Sequence, residues 1–132
     1  MNNMEVIKQT FFHECEEQLA ELESGLLTIE SGNSDPELVN AVFRAVHSIK
    51  GGAAAFGYDE LVDYVHTFET TLDLVRSGTI QATPPVVKVL LHASDVLSDL
   101  VNAVRAEAEW DRAQVAETKQ SLLNTRAQQD FD

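Results

Sequence analysis

Arg44-Ala45-Val46-His47-Ser48-Ile49-Lys50-Gly51-Gly52-Ala53-Ala54-Ala55-Phe56-Gly57 is the stretch that decides how this chain folds. Leading into and through it, Leu38, Val42, Val46, Ile49, Ala53 and Phe56 recur at steps of four and three, one apolar stripe of an amphipathic helix. At roughly 100° per residue, His47 falls well off that stripe and faces solvent. Lys50, three residues on, lies within reach of the same face. Gly51 and Gly52 follow at positions where each costs a helix about 1 kcal/mol relative to alanine. An exposed histidine beside a lysine, flanked by bare glycines, marks a place that something approaches closely.

The same periodicity extends in both directions. A first helix is expected from about Met4 to Glu30, with Phe12, Cys15, Leu19, Leu22, Leu26 and Ile29 on one stripe and Glu14, Glu16, Glu17, Glu21 and Glu23 on the other faces. Ser31-Gly32-Asn33 supplies its stop. Ser34 with Glu37 fits a capping box, and Pro36 suits the first turn of the second helix. That helix ends near Phe56, with Gly57 as a left-handed cap. A third helix starts at Tyr58 or Asp59, carries Leu61, Val65, Phe68, Leu72 and Val75, and stops at Gly78. Residues 77–83 form the longest connection, and Thr83 before Pro84-Pro85 is a cap for the fourth helix. The fourth stripe is Val86, Leu90, Ala93, Leu97, Leu100 and Val104. Asp111 with Gln114 then opens a shorter fifth helix through Val115, Thr118 and Leu122. The fold expected is all-α: an antiparallel up-down four-helix bundle with a fifth, C-terminal helix. Residues 1–124 form the domain, and the polar stretch 125–132 frays or begins a linker.

Composition narrows the function classes. The chain has 132 residues and 44% hydrophobic content, enough for one domain with a core of its own. A net charge of −13 argues against nucleic acid and anionic membrane surfaces, which require clustered Lys and Arg. The single cysteine, Cys15, excludes an internal disulfide and a cysteine-based metal site; its place on the first stripe makes it a core residue. The N-terminal residues alternate acidic and apolar, unlike a signal peptide, and no segment has the ~18 apolar residues of a membrane span. The reading is a cytoplasmic protein without membrane insertion.

The short turn at Gly57 makes the second and third helices an antiparallel hairpin. His47 lies ten residues before Gly57 and His66 nine after it, so both stand at about one level. Glu69 follows His66 as Lys50 follows His47. Equal offsets turn these side chains toward each other for one handedness of the bundle and away for the other. In the convergent case His47, Lys50, His66 and Glu69 make one exposed cluster. A neutral imidazole there is a nucleophile suited to a covalent phosphoryl intermediate. Lys50 would offset the phosphoryl charge, and Glu69 would hold one ring nitrogen as a donor and leave the other free to attack. No Gly-rich phosphate loop or Walker lysine is present, so the phosphoryl donor must be bound elsewhere.

His47-Ser-Ile-Lys50-Gly51-Gly-Ala-Ala-Ala-Phe56-Gly57 resembles the signature of histidine phosphotransfer (HPt) domains, His-Ser/Thr-Ile/Leu-Lys-Gly followed closely by Phe-Gly. Phe43-Arg44-Ala45-Val46 and His66-Thr-Phe-Glu69 are most similar to the N-terminal P1 domain of the chemotaxis histidine kinase CheA, and the likeness runs from residue 5 to 108. The resemblance implies that His47 is phosphorylated from ATP held by a separate histidine kinase catalytic domain. The phosphoryl group then passes to an aspartate of response-regulator receiver domains of the CheY and CheB kind. It implies no cofactor in this domain, a substrate role within a histidine kinase, a monomeric module, and supporting roles for Lys50, His66 and Glu69, the glutamate orienting the ring. Arg44, Gly51, Gly52, Ala54 and Asp73 lie near the cluster and are the candidates for partner docking. The run Gly52-Ala53-Ala54-Ala55 is smaller than in some relatives, which bears on the choice of partner.

Three rival readings stand beside this one. A free-standing phosphorelay protein would share the motif, although His66-x-x-Glu69 favours a kinase-attached domain. A structural adaptor would use the cluster only for docking. A di-iron bundle requires inward Glu-x-x-His on two helices, and the nearest match, Asp63-x-x-His66, occurs once and points outward.

Overall fold

The computed structural model describes residues 2–33 and 35–129. Five helices follow one another: α1 (Asn3–Glu30), α2 (Pro36–Ala55), α3 (Asp59–Arg76), α4 (Pro84–Arg105) and α5 (Arg112–Gln129). α1 packs on α2 and α4, and α3 packs on α2 and α4, so the first four helices close a ring, and among the described residues no backbones approach closely across its diagonals. α5 lies in the outer groove between α3 and α4. Among the described residues no helix is long and apolar enough to cross a membrane.

The expected stripes form the core. Leu22 and Leu26 of α1, Val46, Ile49 and Ala53 of α2, Leu61, Val65, Phe68 and Leu72 of α3, and Leu90, Ala93, Leu97 and Leu100 of α4 are all buried. Cys15 is buried among them, and burial pushes its thiol up to about 12, which leaves it inert as a nucleophile. α3 and α4 bury wider arcs than one stripe, adding Tyr64, Thr71, Val87, Val96 and Val101, because α5 covers a second side of each. The Tyr64 hydroxyl donates to the Ala93 carbonyl at 2.6 Å, which satisfies the one polar atom of a fully enclosed ring.

α5 is held differently from the bundle helices. Among its described residues, Leu122 is the one buried large apolar side chain; Thr118 and Thr125 are buried beside it. Polar contacts do the rest. Arg112 pairs with Glu60, Lys119 with Asp63, and the Arg126 guanidinium donates to the Thr67 carbonyl at 2.6 Å and to the Thr71 hydroxyl at 3.0 Å. The helix therefore continues to Gln129, past Asn124, where the sequence pattern fades into polar residues. Residues 130–132 lie outside the described residues.

The caps explain where helices begin and end. Gly57 adopts φ 72°, and the Gly57 and Tyr58 amides donate back to Ala54 and Ala53, a complete Schellman turn. α4 closes in the same way with Glu107 at φ 54°, a left-handed position where glycine is the easier residue. Asp111 caps α5 by accepting the Gln114 amide at 2.9 Å, as expected. At the start of α2 the cap is Asp35, which accepts the Glu37 amide at 3.0 Å; the expected Ser34 lies outside the described residues. Glu37 does not close a box, because its carboxylate takes the Asn40 side chain instead. Thr83 occupies the cap position of α4 without a side-chain hydrogen bond.

Candidate functional site

The three-residue turn Phe56-Gly57-Tyr58 sets α2 against α3, and a cluster of rings fixes that turn to α1. Phe11 lies 5.3 Å from Phe56 and 6.2 Å from Tyr58 between ring centroids, with Phe12 against Tyr58 at 5.8 Å. On the hairpin so fixed, Glu69 of α3 meets two side chains of α2. His47 Nδ1 stands 2.6 Å from Glu69 Oε2, and Lys50 Nζ donates to Glu69 Oε1, also at 2.6 Å. The side chain of His47 is 62% exposed, whereas that of Glu69 is only 11% exposed.

The electrostatics assign the protons. Burial raises the Glu69 pKa, but the hydrogen bonds from Lys50 and His47 outweigh it and hold the carboxyl below its ordinary value. An ionised carboxylate is acceptor-only, so Nδ1 must carry the hydrogen of the shared bond. In the neutral ring this leaves Nε2 as an unprotonated lone pair on the exposed side, the form of imidazole that attacks an electrophile. The resemblance has Lys50 support the chemistry of an incoming phosphoryl group; in the structure one of its three ammonium hydrogens goes to Glu69. That contact helps to keep the carboxylate ionised.

Of the expected cluster, the hairpin joins His47, Lys50 and Glu69 and leaves out His66. The pairs that meet across the hairpin are centred near Tyr58 and beyond, not on Gly57, so the level of His47 falls one turn further along α3 than His66. The His66 side chain is exposed and has no hydrogen-bond partner among the described residues; its carbonyl accepts from Thr70. Asp63, the other half of the Asp-x-x-His match, pairs with Lys119. Among the described residues no group of three or more His, Cys, Asp or Glu side chains is placed to hold a metal ion.

The docking candidates divide. Gly51 and Ala54 are exposed, and a Cβ added at Gly51 would meet nothing within 4 Å. Gly52, its neighbour, is a packing residue: an added Cβ would overlap the Phe11 ring, coming within 2.5 Å of its Cδ1 and Cε1 atoms. Arg44 is exposed and forms no ion pair among the described residues. Asp73 is bound to Arg76 of its own helix at 2.6 Å.

Two residues near the histidine, one of them part of the family resemblance, have no role in the sequence pattern. The Phe43 ring, one turn before His47 on α2, stacks on the imidazole with planes 10° apart and centroids 6.0 Å apart. The Arg76 guanidinium of α3 sits 3.8 Å from the centroid of the Phe43 ring. The i, i−4 spacing of Phe43 from His47 was the available signal; nothing in the spacing of Arg76 pointed to Phe43.

Comparison with known proteins gives the family of the bundle. The Hpt domain family model matches residues 6–107. The chain is 61% identical over 111 residues to the chemotaxis protein CheA of Rhizobium meliloti, covering 84% of this chain and 15% of that protein. It is 52% identical over 106 residues to CheA of Cereibacter sphaeroides, covering 78% of this chain and 16% of that protein. The chain thus spans about one sixth of the length of these relatives. Among solved structures, the phosphorylated P1 domain of CheA3 from R. sphaeroides, in complex with CheY6, superposes with a TM-score of 0.82 at 25% identity, covering 92% of this chain and 96% of that one. The solution structure of the histidine phosphotransfer domain of CheA gives 0.77 at 28% identity, covering 90% of each. The exposed, carboxylate-held histidine thus sits in a bundle whose family is shown: the chain belongs to the Hpt domain family, and the relatives it resembles are CheA proteins.

Proposed function

We propose that this chain is the phosphoacceptor domain of a chemotaxis histidine kinase, with His47 as the residue that carries the phosphoryl group. The observation that carries the reading is the bond from His47 Nδ1 to Glu69, which leaves Nε2 bare on an exposed ring. The lone pair of Nε2 attacks the γ-phosphorus of ATP bound on a separate kinase domain, the bond from that phosphorus to the bridging oxygen breaks, and ADP leaves. The positive charge that develops on the ring is met by Glu69 through the Nδ1 hydrogen. In the second step an aspartate oxygen of a response regulator attacks phosphorus, the N–P bond breaks, and the ring returns to its Nδ1-protonated neutral form. CheA relatives and a neighbour in complex with CheY6 support this choice of partners, and a cytoplasmic location is part of the proposal.

The test is incubation of the chain with a chemotaxis kinase core that lacks its own phosphotransfer domain and with γ-labelled ATP, beside a His47→Gln variant. Label on the wild type, absent from the variant, labile to acid and stable to base, is the expected result. Absence of label with cognate kinases would leave the bundle as an adaptor.

A further inference from the structure

One hydrogen bond does not fix an exposed ring. The Glu69 bond holds Nδ1 but leaves the imidazole free to rock about that contact, because the final torsion of a histidine is broad. Since the side chain is 62% exposed, little else confines it. The Phe43 ring, nearly parallel to the imidazole and offset from it at 6.0 Å between centroids, borders it on one side and limits that rocking. Phe43 is itself only half-buried, so it needs a restraint of its own. Arg76 provides it from α3: its guanidinium lies over the ring at 3.8 Å, a cation–π contact. Asp73, three residues earlier on α3, accepts from Arg76 Nη2 at 2.6 Å and sets where the guanidinium lies.

We propose that Phe43 and Arg76 are positioning residues for His47. α3 thereby reaches the histidine by two routes, Glu69 to its nitrogen and Arg76, through Phe43, to its face. Together they set the direction in which Nε2 points at an incoming phosphorus. The inference rests on the phosphoacceptor reading of His47. Because arginine stays charged at all working pH values, this restraint persists where the Glu69 bond titrates.

The experiment compares the wild-type chain with Arg76→Ala, Arg76→Lys and Phe43→Leu, each assayed for phosphorylation by a kinase core as a function of the chain's concentration. Proton spectra of the His47 ring are recorded in parallel without kinase. Stacking on Phe43 shifts the imidazole C–H signals by ring current, so that shift reports the stack directly. Expected results are loss of the shift in Phe43→Leu and its reduction in Arg76→Ala. kcat should fall about two- to fivefold in Arg76→Ala with KM unchanged, the size of an exposed cation–π contact, with partial recovery in Arg76→Lys. An unchanged kcat in Arg76→Ala overturns the proposal, whatever the spectrum shows. So does a rise in KM with kcat unchanged, which would make Arg76 a docking residue, or a fall in kcat with the shift intact. Failure of the wild type to take label would instead defeat the phosphoacceptor reading, and the ring-current measurement would still decide whether Arg76 holds the stack.

Discussion

His47 and Glu69, twenty-two residues apart in sequence, share a 2.6 Å hydrogen bond that joins an exposed ring to a largely buried carboxylate. The two ends of the bond have different tasks. The buried end fixes a charge in place, and the exposed end presents an imidazole whose tautomer that charge sets.

Removing the carboxylate removes that choice. Glu69→Ala is expected to slow phosphorylation of His47 by about ten- to a hundredfold, the range given by a charge-assisted hydrogen bond of ~1.5–3 kcal/mol. Lys50, a quarter exposed, can then turn to water, so the helical fold should persist. Initial-rate labelling together with far-ultraviolet circular dichroism checks both halves. An unchanged rate would show that Glu69 does not act on the ring.

Lys50 should act through pH. It is one of the two groups that hold Glu69 below its ordinary carboxyl value. In Lys50→Met the Glu69 pKa rises, and the acid limb of the phosphorylation rate profile should move to higher pH. A rate that falls equally at every pH would mean that Lys50 serves the phosphoryl group instead.

The same depression makes a stability prediction. Glu69 binds its proton more weakly folded than unfolded, so its bonds favour the folded state fully above the ordinary value of 4.5 and lose that effect as pH falls through the lowered one. The difference in urea midpoint between wild type and Glu69→Gln should be constant above about pH 6 and shrink on acidification below 4.5. A difference that grows toward acid would contradict the assignment.

The adjacent glycines should respond in opposite ways. Gly51→Ala adds helix propensity into open space and should raise stability by up to about 1 kcal/mol. Gly52→Ala drives a methyl into the Phe11 ring, which its aromatic neighbours hold in place, and should cost about 1 kcal/mol or more despite the same gain in propensity. Thermal denaturation of the two variants separates them.

Glu107 closes α4 at φ 54°. Replacing it with glycine removes the Cβ from that left-handed position and should stabilise the chain by about 0.5–1 kcal/mol, measurable as a rise in thermal midpoint.

The bundle was legible because its information is one-dimensional. Leu61, Val65, Phe68 and Leu72 read as a stripe from spacing alone, and Gly57 reads as a stop from its position after that of α2. Family resemblance and the facing of His47 likewise pointed to one histidine. The contacts of that histidine were not so readable, because they depend on how far one helix slides along another. His66 and Glu69 differ by a single turn, and the turn at Phe56-Gly57-Tyr58 brings the second to the level of His47. Gly51 and Gly52 differ by one residue, yet only the second meets Phe11 from another helix. The side chain of Lys50 had two acidic destinations, a visiting phosphoryl group or a neighbouring carboxylate, and helix spacing does not rank them. The continuation of α5 past Asn124 rests on Arg126, which reads as an ordinary charged residue until the Thr67 carbonyl is placed beside it.

Both nitrogens of the trio donate to one carboxylate, Nδ1 through its single hydrogen and the Lys50 ammonium through one of its three. The lysine keeps two hydrogens for other acceptors while Glu69 fixes where the ammonium stands. If His47 carries a phosphoryl group, as proposed, a single largely buried carboxylate then places both the ring and the lysine, so its loss would displace two groups at once.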